Sequence, residues 1–322
     1  MSALLYRGRF APTPSGPLHF GSLVAALASY LEARSHNGKW LLRIEDVDPP
    51  RVVAGASAGI LRNLAAHGFE WDGDVLYQSD RNEAYQEALA RLIGLGRAYA
   101  CVCSRKRMAE LAGPGVDGPI YPGTCRGRKS VVVAAGVLAA LQPRPTPCGQ
   151  ADAAGALRFL LPEQRVVFHD ALLGRVACDV TRECGDFVLQ RADGVFSYQI
   201  AVVVDDAEQG ITHIVRGADL LTSTPRQIVL QQALGYPTPA YTHLPVVLNS
   251  RGEKLSKQTL AAPLDDADPL PALRLAGRFL GLPEIGAVGG ATAWLAQAIR
   301  LWPGAATPPL RGRMLLPPNP SG

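Results

Sequence analysis

With 322 residues, 48% of them hydrophobic, 19% charged and a formal net charge of +4, the chain carries enough apolar side chain to bury a sizeable core, as one large domain with insertions or as two domains. Its best apolar run, VVVAAGVLAALQP, is shorter than the roughly 20 residues a membrane span needs, and MSALLYRGRF has no long apolar core ahead of a small-residue cleavage site, so no membrane association and a cytoplasmic location are expected. Six cysteines at irregular spacing exclude the disulfide framework of a small secreted scaffold, and the thiols are expected to be reduced.

In chain order, YRGRFAP reads as a strand stopped by proline, TPSGPLH as a loop, and GSLVAALASYLEARSHNG as a helix with apolar residues at helical spacing and a terminating glycine. KWLLRIED returns as a strand, which completes a βαβ unit, implies a parallel sheet and places the first loop at the carboxyl edge where ligands bind. Helices follow near 53–68 and 80–96. The cysteine-bearing stretch CVCSRKRMAELAGPGVDGPIYPGTCRG then interrupts the pattern, and an Ala/Gly/Pro-rich connector runs from about 128 to 156. Strands resume with ALRFLLP and RVVFHDALLGRVACDV. DFVLQRADGVFSYQIAVVVDD is predicted as a hairpin with an Asp-Gly turn that leads to a very apolar segment. TSTPRQIVLQQALG is a capped helix, THLPVVLNSRGEKLSKQ a strand with a polar loop, and helices near 268–281 and 290–301 precede a Pro/Gly tail expected to be disordered.

Two stretches carry the chemistry. In RFAPTPSGPLHFGSL a proline-braced loop feeds a helix N-terminus, whose unpaired N–H groups and positive dipole end, with His19 and Ser22, suit a phosphate. In GEKLSKQ stand Lys254 and Lys257, two of only five lysines in a chain whose cations are otherwise arginine, the residue that holds carboxylate or phosphate through two parallel hydrogen bonds. Alone, the first is an ordinary βα turn and the second a pair of solvated charges. Together and in this order, Pro12–Ser22 and Lys254–Gln258 resemble the HIGH and KMSKS elements of class I aminoacyl-tRNA synthetases, and RIEDVDPPR, VRGADLLTSTPRQ and THLPVVLNSRGEKLSK resemble the glutamyl branch of that family. The resemblance spans residues 7 to about 260. Ser22 stands where many class I enzymes carry a second histidine, and Leu255 and Gln258 replace Met and Ser.

The resemblance implies an α/β fold: a Rossmann-like class I catalytic domain with an inserted zinc-binding acceptor-type subdomain and a short helical C-terminal part. Residues 1–97 form the first half of the nucleotide-binding domain and 98–156 the inserted zinc-binding region with its connector. Residues 157–235 complete the insertion and the second half, and 236–322 hold the KLSKQ loop, the C-terminal helices and the tail. It implies that glutamate and ATP form an adenylate, with His19, Ser22, Lys254 and Lys257 catalytic and His19, Gly21 and Lys257 holding ATP, accompanied by Mg²⁺ bound through phosphates and water. Glutamate, with two carboxylates and an ammonium group, needs cations and an anion: Arg9 and Arg216 supply the first, Glu45 the second, and Tyr198 closes a pocket that Phe10, Ala11, Pro12 and Thr13 line. Which arginine takes which carboxylate is not legible in the sequence.

Cys101, Cys103 and Cys125 offer three soft ligands to a structural Zn²⁺, whose sites usually have four protein ligands. No histidine lies between Cys103 and Cys125, so Tyr121 and the more remote Cys148 are the candidates for the fourth, and a tyrosine four residues before the last cysteine, as in the short relatives of the glutamyl branch, favours Tyr121. Cys178 and Cys184 are expected to be packing residues. Only about 60 residues follow KLSK, too few for an anticodon-binding body. The chain is therefore similar to the truncated paralogues that activate glutamate without tRNA and attach it to queuosine at the wobble position of tRNA(Asp), as a monomer gripping the anticodon arm. The alternatives are a discriminating glutamyl-tRNA synthetase that charges the 3′ end, and a non-catalytic RNA-binding module, which has no use for both ATP loops.

Overall fold

The computed structural model describes residues 5–113, 115, 119–127, 155–247 and 262–304. The predicted connector up to residue 154, Cys148, Lys254, Lys257 and the tail from residue 305 lie outside them. Strand β1 (Arg7–Phe10) pairs in parallel with β2 (Lys39–Ile44), which pairs with β3 (Leu76–Tyr77). In the second half, β9 (His213–Gly217) is parallel to β10 (Ala240–Leu244), β10 to β6 (Arg165–Asp170), and β7 (Gly174–Asp179) closes antiparallel on β6. The Thr212 N–H donates to the Arg7 carbonyl at 2.9 Å, which sets β9 beside β1. The order across both sheets is thus 3-2-1-9-10-6-7. It reverses between β1 and β9, and such a switch point opens a crevice at the carboxyl ends of the strands.

Helix α1 (Phe20–Ser35) returns the chain from β1 to β2, with Leu23, Val24, Leu27 and Leu31 buried along one side. Trp40 of β2 is fully buried against Phe10, Tyr30 and Phe69, and truncating such a side chain to alanine costs about 3–5 kcal/mol. Helices α2 (Ala56–Ala66) and α3 (Asn82–Gly94) stand inside the predicted ranges. The C-terminal helices α8 (Leu270–Phe279) and α9 (Ala291–Leu301) contribute Leu273, Phe279, Trp294 and Leu295 to the same core as α1. The Trp302 indole N–H also donates to Glu32 of α1 at 2.6 Å, so this part completes the nucleotide-binding half.

The insertion is built on an antiparallel sheet of β4 (Ala98–Cys101), β5 (Ala156–Phe159) and β8 (Val188–Gln190). Short helices α4 (Arg105–Leu111) and α5 (Val180–Glu183) flank it. The predicted hairpin after β8 is confined to a single bridge between Gln190 and Phe196. The apolar segment beyond it is helix α6 (Tyr198–Glu208), packed on α7 (Thr224–Leu234) through Ile200, Val203, Val204, Ile228 and Leu230. Burial on several sides overrides the modest preference of β-branched valine for strands. Among the described residues no helix is long and apolar enough to cross a membrane.

Candidate functional site

The carboxyl ends of β1, β2 and β9 and the start of α6 converge on a buried, highly charged crevice. Arg9 of β1 is nearly inaccessible and donates through Nε to Asp206 Oδ1 at 3.0 Å. Arg43 of β2, fully buried, lies 2.8 Å from the same oxygen and 3.5 Å from Glu45 Oε1. Burial alone would raise the Asp206 carboxyl, but the Arg43 and Arg9 guanidinium groups hold it below the usual range. Glu45 is served less well: burial pushes its carboxyl up to about 7, against the pull of Arg43 and Arg9. A carboxylate so near its titration point gains much from a cationic ligand, and such perturbed groups cluster at functional sites.

Across the switch point, Arg216 of β9 uses neutral acceptors among the described residues. Its Nε–H donates to His243 Nε2 at 3.2 Å, one terminal nitrogen to Thr224 Oγ1 at 2.7 Å and the other to the Tyr198 hydroxyl at 3.4 Å. Tyr198, the first residue of α6, has its hydroxyl raised by burial and feels Arg216, Glu45 and Arg9 together. The structure therefore gathers all four charged and hydroxyl-bearing residues singled out for an amino-acid pocket. Tyr198 enters from a helix, not from a hairpin.

The loop after β1 is clamped over the end of β2 by the Glu45 N–H, which donates to the Pro12 carbonyl at 3.0 Å. Ala11, Pro12 and Thr13 are half-buried along it, whereas Phe10 stacks inward on Trp40, so at the site it presents backbone. His19 caps α1, its Nδ1 accepting from the Ser22 N–H at 3.3 Å, and Gly21 and Ser22 form the first turn. His19 also bridges to Pro263, and the Leu264 N–H donates to the Leu18 carbonyl at 3.1 Å. The chain just downstream of the lysine loop thus returns to the phosphate-type helix terminus. Sequence reasoning missed Arg43, Asp206, Asp170, Thr224 and His243; the Asp pair closing VVVDD, two acids after an apolar run, was the available signal.

In the insertion, the Sγ atoms of Cys101, Cys103 and Cys125 lie within 4.8 Å of one another, Cys103 and Cys125 at 3.6 Å. The Tyr121 hydroxyl stands among them, 3.4 Å from Cys101 Sγ and 3.9 Å from Cys103 Sγ, and accepts the Cys125 N–H at 2.7 Å. Burial works against the Cys125 thiolate, yet hydrogen bonds from Tyr121, the backbone and the other thiols bring its pKa below the ordinary value. A tetrahedral zinc with Zn–S near 2.3 Å sets its sulfurs about 3.8 Å apart, so this donor set fits the metal in size and softness. Gly185 makes the approach possible. At its φ of +65° a Cβ would sit 2.7 Å from Ile120 and 3.1 Å from the Tyr121 nitrogen. Cys178 and Cys184 are buried with sulfurs 3.8 Å apart.

Residues 6–268 match the family of class I tRNA synthetases for glutamate and glutamine, catalytic domain. A glutamyl-Q tRNA(Asp) synthetase of Chromobacterium violaceum is 54% identical over 281 residues, 87% of this chain and 88% of that protein. One from Dechloromonas aromatica is 54% identical over 307 residues, 94% and 96% of the two chains. Among solved structures, a glutamate tRNA ligase of Elizabethkingia meningosepticum in complex with its amino acid superposes with a TM-score of 0.72 at 23% identity, over 93% of this chain. This chain spans 65% of that ligase.

Proposed function

Because the chain belongs to the glutamyl-Q tRNA(Asp) synthetase family of class I tRNA synthetases, and is thus an ATP-dependent ligase, we propose that it activates L-glutamate as the adenylate without tRNA and then transfers the glutamyl group to queuosine in tRNA(Asp). The observation that carries this reading is the unequal compensation of the two arginines. Arg9 shares the single Asp206 carboxylate with Arg43 and is compensated in part, while among the described residues Arg216 meets neutral acceptors and keeps its full charge for a substrate carboxylate. Glu45, raised to about 7, takes the substrate ammonium.

The α-carboxylate then faces the α-phosphate of ATP, attacks phosphorus, and expels pyrophosphate. Positioning and charge neutralisation dominate such a step. His19, Gly21 and Ser22 at the start of α1 hold the α-phosphate and adenosine side, Lys254 and Lys257 the departing phosphates, and Mg²⁺ enters with the nucleotide. In the second step a hydroxyl of the queuosine cyclopentene diol attacks the mixed anhydride and releases AMP. The body that in longer relatives grips an acceptor stem here grips the anticodon arm, as a monomer. Glutamate-dependent ATP–pyrophosphate exchange with no RNA present tests the first step, and its absence overturns the reading.

The pKa of Glu45 gives that assay a pH signature. Below about 7 the carboxyl of the free enzyme is protonated and the ammonium loses its anion. The KM for glutamate is expected to rise as pH falls from 8 to 6. Glu45→Gln is expected to raise it by about 10–100-fold at pH 8, the worth of a charge-assisted hydrogen bond, and to flatten the pH dependence. A wild-type KM independent of pH over that range removes Glu45 from the pocket.

Zn²⁺ held by Cys101, Cys103, Tyr121 and Cys125 orders a loop with only a small core of its own, Tyr99, Val102 and the ligands themselves. The metal is structural and belongs to the RNA-binding insertion. One zinc per chain is expected by elemental analysis. Cys125→Ser is expected to lose it and to impair transfer to RNA more than exchange; equal loss of both makes the insertion a support of the ATP site.

A further inference from the structure

Behind Arg216 lies a chain of buried groups that the reaction does not touch. Asp170 ends β6, His243 sits on β10 and Thr224 begins α7; all three are fully buried. Asp170 Oδ2 lies 2.7 Å from His243 Nδ1 and accepts the His243 backbone N–H at 3.0 Å, while its Oδ1 accepts the N–H groups of Leu172 and Leu173 at 3.0 and 2.8 Å. His243 Nε2 receives the Arg216 Nε–H at 3.2 Å and lies 3.0 Å from Thr224 Oγ1, which also accepts from Arg216.

We propose that the Asp170–His243 pair is a positioning device that aims Arg216 at a substrate carboxylate and sets the preference for glutamate over glutamine. The inference rests on the glutamate reading above. The tautomer follows from the partners: Nε2 accepts from an arginine, which never lacks its protons, so the proton is on Nδ1 and is donated to Asp170. The imidazole is neutral, and it fixes the guanidinium plane through Nε. The comparison with Arg9 shows what this achieves. A carboxylate placed directly on Arg9 orients it and, though shared with Arg43, offsets part of its charge. An imidazole placed between Asp170 and Arg216 transmits the orientation and leaves the charge to be matched by the ligand. A neutral amide cannot match it, so glutamine leaves a buried cation without a counter-charge, the kind of penalty that makes polar selectivity steep.

The test uses the full chain and measures glutamate-dependent pyrophosphate exchange, with glutamine as competitor substrate. In His243→Asn the shorter amide still reaches toward Asp170 and no longer reaches Arg216. The KM for glutamate is expected to rise at least tenfold and the preference over glutamine to fall by a similar factor, with kcat and the KM for ATP within about threefold. His243→Gln, whose amide oxygen extends to the position of Nε2, is expected to recover most of the loss. Asp170→Asn keeps the imidazole in place and admits the opposite tautomer, whose Nε2–H faces Arg216; it is expected to raise the KM several-fold independently of packing at position 243. Thermal unfolding of each variant separates these effects from general destabilisation.

A glutamate KM unchanged in both His243→Asn and Asp170→Asn overturns the device, as does a rise in which the KM for ATP follows equally and His243→Gln recovers nothing. A wild-type chain without glutamate-dependent exchange removes instead the function on which the device rests.

Discussion

Replacing Lys257 by alanine is expected to lower glutamate-dependent ATP–pyrophosphate exchange by about 10²–10³-fold, the range for removing one preorganised donor to developing charge, while glutamate binding measured by calorimetry changes little. Negative charge grows on the departing pyrophosphate only as the bond to the α-phosphorus breaks, so a cation there acts on the transition state more than on either ground state. Lys257 lies outside the described residues, and the argument comes from its place in GEKLSKQ and from the chain that follows. Pro263, six residues on, bridges to His19, and the Leu264 N–H is bonded to the Leu18 carbonyl, so the return from this loop is tied to the first turn of α1. The described chain that follows the loop is therefore anchored at the helix terminus that suits a phosphate. In the proposed pocket glutamate is held by Arg216 and Glu45 and is expected not to need Lys257 to bind. Wild-type exchange in the variant, or a loss of glutamate affinity that matches the loss of rate, removes the loop from the chemistry.

What the sequence disclosed depended on how far its signals reach along the chain. The β1–α1–β2 unit was legible because each piece carries its own punctuation: Pro12 stops the strand, α1 shows helical spacing, and Gly38 follows its end. Helix α6 was not. Tyr198–Glu208 places Val202, Val203 and Val204 in a row, and only contact with α7, from a later part of the chain, makes a helix of a run whose residues favour strands. The reversal of strand order at β1 and β9, which creates the crevice, joins segments some 200 residues apart and has no local mark. Glu45 and Arg216 could be singled out from the motifs that contain them. Their behaviour could not: the raised carboxyl of Glu45 follows from its burial in the folded crevice, and the orientation of Arg216 from His243 and Asp170, which stand far from it in sequence. In the insertion, Cys101, Cys103 and Cys125 announced themselves by spacing, whereas the placing of the Tyr121 hydroxyl among them emerged only from the fold.

Glutamate labelling of tRNA(Asp) is expected to depend wholly on queuosine. The described groups proposed for adenylation, His19, Glu45 and Arg216 among them, stand in the nucleotide-binding halves, and none is expected to wait for RNA to complete it. Transfer needs something more, a hydroxyl delivered to the mixed anhydride at the crevice between β1 and β9. The described chain after β10 supplies two helices, α8 and α9, and both are spent on the core beside α1. Neither forms a separate body that can read an anticodon while a distant 3′ end is charged. In the function proposed above, selection operates on the nucleoside that enters the crevice, and a cyclopentene diol is a more distinctive entrant than a ribose common to every tRNA end. Labelled glutamate is supplied with tRNA(Asp) from cells that make queuosine and from cells that cannot. Label is expected on the first pool only, and it is expected to survive removal of the 3′-terminal adenosine. Labelling of the first pool is also expected to fall in Cys125→Ser. Equal labelling of both pools, abolished with the terminal adenosine, would make this chain a charging enzyme for the 3′ end and the anticodon-arm reading wrong.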